Sequence, residues 1–189
     1  MLFFGRAHCV ECHAVSGQSN EMFSHFGEHV IAVPQVKPEV TNVSFDGPGA
    51  NEDFGLEQIS GNPADRYAFR TSPLRNIALQ PAFFHNGAFT RLEDAIRHHL
   101  NVAASARAYD PKRAGLADDL CGPTGPVEPM LARVDPLLSA PIDLTDAEVA
   151  DLVDFVGNAF LDERARSENL RSLIPATVPS GRPVLHFEQ

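Results

Sequence analysis

The feature that most constrains this chain is a five-residue motif close to its first residue, Cys9-Val10-Glu11-Cys12-His13. The spacing C-x-x-C-H is typical of a c-type haem attachment site. The two cysteines add across the vinyl groups of a haem and hold it covalently, and the histidine that follows supplies an imidazole nitrogen to the iron. The motif therefore predicts one covalent haem c on Cys9 and Cys12, with His13 as the proximal ligand.

Two other kinds of site share the C-x-x-C spacing. A thioredoxin-like redox pair is typical of a βαβ unit, and no such pattern surrounds Cys9. A structural zinc site requires a second Cys/His pair, and we expect none, because the one further cysteine, Cys121, has no partner nearby and we treat it as a thiol without a role. The remaining histidines are interpreted as solvated or packing residues: His8, His25, His29 and His186. A haem-free zinc or thiol protein is therefore the least favoured hypothesis.

The bulk properties exclude several classes of function. A chain of 189 residues is long enough for a single domain with its own core. Its net charge of −10 argues against binding to nucleic acid or to an anionic membrane. No apolar stretch approaches the length of a membrane span, and no secretory signal is visible. Because haem c is attached outside the cytoplasm, and because c-type domains place a helix before the motif, we expect that sequence upstream of Met1 is missing.

The clearest helix is predicted over residues 91–101. Thr90 and Glu93 have the spacing of a capping box at its start. The apolar stripe that follows continues at position 99. His99 is therefore expected to point where a core side chain should lie, whereas His98 is expected to fall to the side of that stripe.

A second helix is predicted over residues 144–160, where Thr145 and Glu148 form another capping box. The 15 prolines and 13 glycines indicate long irregular connections elsewhere. A large, flat, apolar cofactor would order such connections by replacing side chains as the core. We expect an all-α, cytochrome c-like domain over residues 1–165, with few helices and long loops around a covalent haem. A Pro-rich tail is expected to follow over residues 166–189.

Four stretches of the chain stand in the order found in one known family, namely residues 2–13, 69–76, 83–89 and 92–99. Together they resemble the C-terminal haem domain of the di-haem cytochrome c peroxidases, including their MauG-type relatives. The helix at 144–160 fits the closing helix of that family. The resemblance covers about residues 2–165 and is more specific than the C-x-x-C-H motif, which occurs in many unrelated cytochromes.

The resemblance implies that the distal iron ligand comes from the helix at 91–101. The family has Met, or Tyr in MauG-type members, at the position that matches His99, the residue that the helix-face argument also selects. A His13/His99 iron should be low-spin and coordinatively full, with a lower potential than a His/Met iron. Such an iron transfers electrons and does not bind peroxide. The alternatives that stay open for the distal ligand are His98, Met130 and Tyr109.

Two further residues acquire roles through the resemblance. His85 matches a family histidine near the interface between the two haems, where the family's Asp is replaced by Asn86. A catalytic role there and a locally satisfied loop histidine both stay open for His85. Arg75 is expected either to pair with a haem propionate or to brace its loop, because a charged side chain in so apolar a segment needs an anion.

The family also binds calcium between its two domains. Backbone carbonyls of the loop that matches Gln80 and Ala82 hold the ion, together with an Asn from the other domain. The family's Thr-x-Pro is Gln80-Pro81-Ala82 here, and the partner Asn would lie upstream of Met1. Calcium is therefore expected only together with the N-terminal domain.

In this family the N-terminal domain carries a second haem, where hydrogen peroxide is reduced. The C-terminal haem takes electrons from a small donor, a cytochrome c or a cupredoxin, and MauG-type members use the same pair of haems to oxidise a protein substrate. The resemblance implies that this chain is the periplasmic, electron-transferring half of such an oxidoreductase, with a peroxidatic haem domain as partner and a homodimer as one form of assembly. The alternative is a stand-alone mono-haem c-type cytochrome, which carries electrons and catalyses nothing.

Overall fold

The computed structural model describes residues 2–17, 21–36, 52–175, 177–182 and 184, so His186 lies outside the described residues. The helices are α1 (Glu57–Ser60), α2 (Leu92–Leu100), α3 (Val102–Arg107), α4 (Glu128–Leu131), α5 (Asp146–Ala159) and α6 (Ser167–Leu170). Short 3₁₀ turns lie at Cys9–Glu11, Pro63–Asp65, Ile77–Leu79, Asp118–Leu120, Pro136–Leu138, Glu163–Ala165 and Arg171–Leu173. The prediction of an all-α domain with few helices and long loops is confirmed.

The regular β-structure of the described segments is minimal. Strands β1 (Glu28–His29) and β2 (Phe69–Arg70) pair antiparallel, with His29 opposite Phe69. This short ladder fastens the segment that follows the cysteine motif to the segment before α2. None of the described helices combines the length and apolar character that a membrane crossing requires.

Helix α5 supplies the main packing face of the core. Val149, Leu152 and Val156 follow one another at helical spacing on one side and are buried. They pack with Leu100 at the end of α2 and with Phe3 in the N-terminal turn. The motif-bearing N-terminus is therefore held against the same core as the two well-predicted helices.

The start of α5 agrees with its sequence signal. The Thr145 hydroxyl accepts a hydrogen bond from the Glu148 amide at 3.3 Å, and the Glu148 carboxylate accepts one from the Thr145 amide at 2.9 Å. Both halves of the predicted capping box are present.

We expect Thr145→Ala to lower the free energy of unfolding by about 1 kcal/mol, because the Glu148 amide in the first turn of α5 loses its acceptor. Chemical denaturation of the haem-loaded chain, with Thr145→Ser as the variant that keeps the hydroxyl, measures the effect. Equal stability of the Ala and Ser variants would contradict it.

The predicted capping box of the earlier helix is wrong. Helix α2 begins one residue later, with Arg91 as its N-cap and no side-chain cap hydrogen bond. The Thr90 hydroxyl instead donates to the Ala114 carbonyl at 2.6 Å, and Glu93 pairs with Arg97. The Thr90 hydroxyl therefore bonds to a loop that is distant in sequence and does not cap α2.

Candidate functional site

An apolar cleft lies between the cysteine motif, α2 and α5. The space between its walls, with the open solvent at its mouth included, is about 1300 Å³. Leu92 and Ile96 of α2 face it from one side, and Leu152 and Val156 of α5 close another. Loop residues complete the lining: Ile31, Val33, Leu74, Ile77, Phe83 and Phe84. The cleft has the lining of a site for an apolar molecule.

The cysteine motif forms one rim of this cleft. Cys9–Glu11 is a 3₁₀ turn, and the His13 amide donates to the Cys9 carbonyl at 2.8 Å. Both motif cysteines are free thiols that line the cleft. Burial raises the pKa of Cys9 to about 11, and burial followed by the charges of Asp135 and Glu11 raises the pKa of Cys12. Both side chains are therefore protonated thiols at neutral pH.

His13 enters the cleft from the end of this turn. Its Nδ1 lies 3.3 Å from the Phe23 carbonyl oxygen, to which it donates. Burial, and then the neighbouring His99, lower the pKa of His13 to about 4, so the ring is neutral at physiological pH. A neutral imidazole with one nitrogen held by a backbone carbonyl has its other nitrogen free to bind a metal.

His99 enters the cleft from α2 with the same arrangement. Its Nδ1 donates to the Ala95 carbonyl of its own helix at 2.8 Å, and its ring stacks on Phe84 with centroids 5.3 Å apart. Burial lowers the pKa of His99. The hydrogen bond and the stacked ring fix the orientation of this second neutral imidazole.

The two imidazoles face each other across the cleft with ring centroids 6.5 Å apart. Two metal–imidazole bonds of about 2 Å each, with the ring radius added at both ends, separate two axial rings by roughly 6 Å. Among the described hydrogen bonds, none engages Nε2 of His13 or His99. The residues present therefore fit a haem, which Cys9 and Cys12 would hold covalently and whose iron His13 and His99 would bind.

His98 lies beside the stripe of α2 that faces the cleft and does not line the cleft, but it is completely buried. Its Nδ1 lies 3.0 Å from the Ser105 hydroxyl and its Nε2 lies 2.8 Å from the Ile31 carbonyl. Helix α2 is covered on two sides, so a single apolar stripe does not describe its contacts. With both nitrogens engaged, His98 has none left for a metal.

The other two alternatives for a distal ligand lie outside the cleft lining. Met130 is buried in a separate cluster with Phe54, Tyr67 and Val102. The Tyr109 hydroxyl donates to the Ala88 carbonyl at 2.5 Å. Of the four candidates that the sequence raised, the structure brings His99 opposite His13.

His85 lines the cleft from the segment before α2. Its ring stacks on Phe69 with centroids 3.6 Å apart, and its Nε2 lies 3.5 Å from the Asp53 carboxylate. Burial acts to raise the pKa of Asp53, but the hydrogen bonds from His85 and from the Gly55 amide outweigh it, so the pKa is lowered. Asn86 braces the loop by donating to the Pro34 carbonyl at 2.8 Å.

Arg75 braces its loop, the second of the two roles that the sequence left open. Its guanidinium donates to the Glu21 carbonyl and lies 3.8 Å from the Asp162 carboxylate. It is not among the residues that line the cleft. Among the described lining residues, Arg70 is the permanently charged cation. No sequence pattern predicted this position for Arg70.

The expectation that no Cys/His pair accompanies the motif is wrong. His25 and His29 lie beside Cys12, and the three ligand atoms are within 4.8 Å of one another. A sequence signal was available, since Cys12-x₁₂-His25-x₃-His29 extends the C-x-x-C into the spacing C-x₂-C-x₁₂-H-x₃-H.

Comparison with curated proteins identifies redox relatives. MauG, the methylamine utilization protein of Paracoccus denitrificans, is 33% identical over 156 residues, which are 78% of this chain and 38% of MauG. Cytochrome-c peroxidase IdrP1 of Pseudomonas sp. (strain SCT) is 32% identical over 106 residues, 50% of this chain and 28% of that protein. This chain thus spans well under half the length of these relatives. No family model matches the chain.

Solved structures agree with these relatives. A MauG-like protein associated with microbial copper homeostasis superposes with a TM-score of 0.57 and 27% identity, over 89% of this chain and 47% of that one. The diheme peroxidase BthA of Burkholderia thailandensis superposes with a TM-score of 0.53 and 25% identity, over 86% of this chain and 41% of that one. Sequence relatives and structural neighbours agree, and over most of its length the chain is similar to the cytochrome c peroxidases and MauG.

Proposed function

We propose that this chain is a haem c electron-transfer domain, the C-terminal half of a di-haem cytochrome c peroxidase-like oxidoreductase. The haem domain covers residues 1–165, the tail covers residues 166–189, and the site of action is the periplasm. The observation that carries the proposal is the pair His13 and His99, whose rings face each other at 6.5 Å beside two free thiols in an apolar cleft.

When bound, the haem supplies a one-electron carrier. The chain's own residues decide how that carrier behaves. Cys9 and Cys12 would hold it covalently, and His13 and His99 would each supply an imidazole nitrogen to the iron, which would exclude an exogenous ligand such as peroxide. The carbonyls of Phe23 and Ala95 each accept the Nδ1 proton of one ligand, which fixes ring orientation and raises ligand basicity.

The lining of the cleft tunes the same site. The apolar side chains of α2 and α5 exclude water, and exclusion of water is one of the factors that set a haem potential. Arg70 is the lining cation placed to pair with a propionate, while Arg75 holds the loop behind Phe23. His85, braced by Asp53 and Phe69, lines the same cleft, consistent with a role between two haems.

Its relatives support a wider assembly around this domain. A small donor, a cytochrome c or a cupredoxin, would reduce this haem, and an N-terminal peroxidatic domain would receive the electron. The final oxidant or substrate would then be hydrogen peroxide or a protein side chain. Calcium at the Gln80–Ala82 loop belongs to that two-domain form.

The test is an optical spectrum of the chain produced with c-haem maturation machinery and exported. We expect one covalent haem per chain, low-spin when oxidised and when reduced, and little peroxide turnover. A chain in which both motif cysteines are replaced by alanine is the control for covalent attachment. A high-spin unmodified chain, or appreciable peroxidase turnover with normal ligation, would overturn the assignment.

A further inference from the structure

We propose that, before haem is attached, the chain binds a divalent metal ion at Cys12, His25 and His29. The types of ligand atom indicate that this ion is Zn²⁺. The metal site itself does not depend on the proposed function. The idea that the metal ion and the haem compete for Cys12 does rest on it. One sulfur and two imidazole nitrogens are a ligand set typical of zinc, and a fourth position stays open to solvent beside the exposed His25.

All three donors lie within 4.8 Å of one another, and two of the distances between them are close to those around one tetrahedral ion. The Nε2 atoms of His25 and His29 are 3.3 Å apart, and the Cys12 sulfur lies 3.7 Å from the His29 Nε2. Zinc bonds of about 2.0 Å to nitrogen and 2.3 Å to sulfur separate tetrahedral N–N and N–S pairs by about 3.3 and 3.5 Å. The imidazole rings of His25 and His29 have centroids 5.1 Å apart, which suits a shared ion between them.

His29 is also oriented as metal-binding histidines are. Its Nδ1 donates to the Asp135 carboxylate at 2.6 Å, which leaves Nε2 as the nitrogen that lies beside His25 and Cys12. A carboxylate behind the ligating imidazole fixes the tautomer and strengthens the bond to the metal. Asp135 and His29 are 106 positions apart in sequence. Their contact is therefore a product of the tertiary fold and not of closeness along the chain.

Proton exchange on metal binding follows from the hydrogen bonds. The Gly27 amide donates to Nδ1 of His25 at 2.9 Å, so in the metal-free form the proton of this ring is on Nε2, aimed at His29. The ion takes the place of that proton, which moves to Nδ1 and ends the Gly27 contact. Cys12 binds as a thiolate and releases its proton to solvent.

Haem attachment and metal binding use the same sulfur. Once Cys12 forms a thioether with the haem, its sulfur no longer carries a negative charge and binds zinc far more weakly. The metal therefore marks the haem-free form of the chain and shields Cys12, but not Cys9, whose thiol points to the Ala7 carbonyl. Haem insertion must displace the ion.

The experiment adds Co²⁺ to the full haem-free chain under reducing conditions. We expect one equivalent to produce thiolate-to-cobalt absorption and the d–d bands of tetrahedral coordination. These bands are lost in Cys12→Ser and His29→Ala and kept in Cys9→Ser. Asp135→Asn keeps the side-chain oxygen that accepts from the Leu137 amide, and it should weaken binding roughly 10- to 100-fold.

A second measurement resolves the two thiols. Zn²⁺ should slow alkylation of Cys12 and leave Cys9 unaffected, as read by mass spectrometry. The proposed site would be wrong if Zn²⁺ left both thiols equally reactive towards the alkylating reagent, as in an unfolded chain. Loss of the cobalt bands in Cys9→Ser would also contradict it. Haem loading separates the two proposals. If the chain binds Co²⁺ but never attaches haem, the metal site stands and the proposed function is wrong. If the haem-loaded chain still shows thiolate–cobalt bands, the metal ion and the haem do not compete for Cys12.

Discussion

Replacing His99 with alanine is expected to convert the haem-loaded chain from low-spin to high-spin in both oxidation states. The imidazole of His99 faces His13 at 6.5 Å between centroids, and its neighbour His98 has both nitrogens engaged. Removal of one axial ligand therefore leaves an open iron that no nearby side chain fills. Optical spectra with and without carbon monoxide measure the change, since the gas should bind the reduced variant and not the unmodified protein.

Two companion variants make the result specific. His99→Met should restore a six-coordinate iron and raise the reduction potential by on the order of 100 mV, within the roughly 0.8 V range that axial ligands span. Arg97→Ala changes an exposed residue of the same helix that pairs with Glu93 and Asp146, and should leave the spectrum unchanged. A low-spin spectrum in His99→Ala would show that another residue is the distal ligand.

Phe3→Ala is expected to lower the free energy of unfolding by about 3–5 kcal/mol, the largest stability loss anticipated for one substitution here. Phe3 is 1% exposed and packs on Phe155 and Phe160 with centroids 5.4 and 5.3 Å away. Its carbonyl also accepts from the Val10 amide at 3.3 Å, inside the cysteine motif. Loss of the ring leaves a cavity that releases the N-terminal turn from α5.

The adjacent Phe4 is a matched control because it has the same side chain and is 43% exposed. Its edge contacts with Phe3 and Phe155 limit the cost of Phe4→Ala to about 1.5 kcal/mol. Denaturant unfolding of the haem-loaded chains compares the two variants. Equal losses would contradict a core anchored by Phe3.

Features encoded by neighbouring residues could be predicted from the sequence. Cys9, Cys12 and His13 are contiguous, so their chemistry depends on little beyond a single turn. The capping box of Thr145 and Glu148 closes within four residues and forms as predicted. The position of His99 on α2 follows from helical spacing, which a short helix preserves. Each of these features depends on local geometry alone.

Features that join distant segments were decided by the tertiary structure. Thr90 bonds to the Ala114 carbonyl instead of capping α2, and His98 is buried because the Ile31 segment covers a second side of that helix. Arg70 lines the cleft where Arg75 does not.

Asp135 orients His29 across 106 positions. The sequence by itself determined the haem motif, the helical class and the helix that bears His99, because local spacing encodes them. The packing of the loops decided which polar side chains pair with each other. It brings together residues that are far apart in sequence and that no helical or strand periodicity connects.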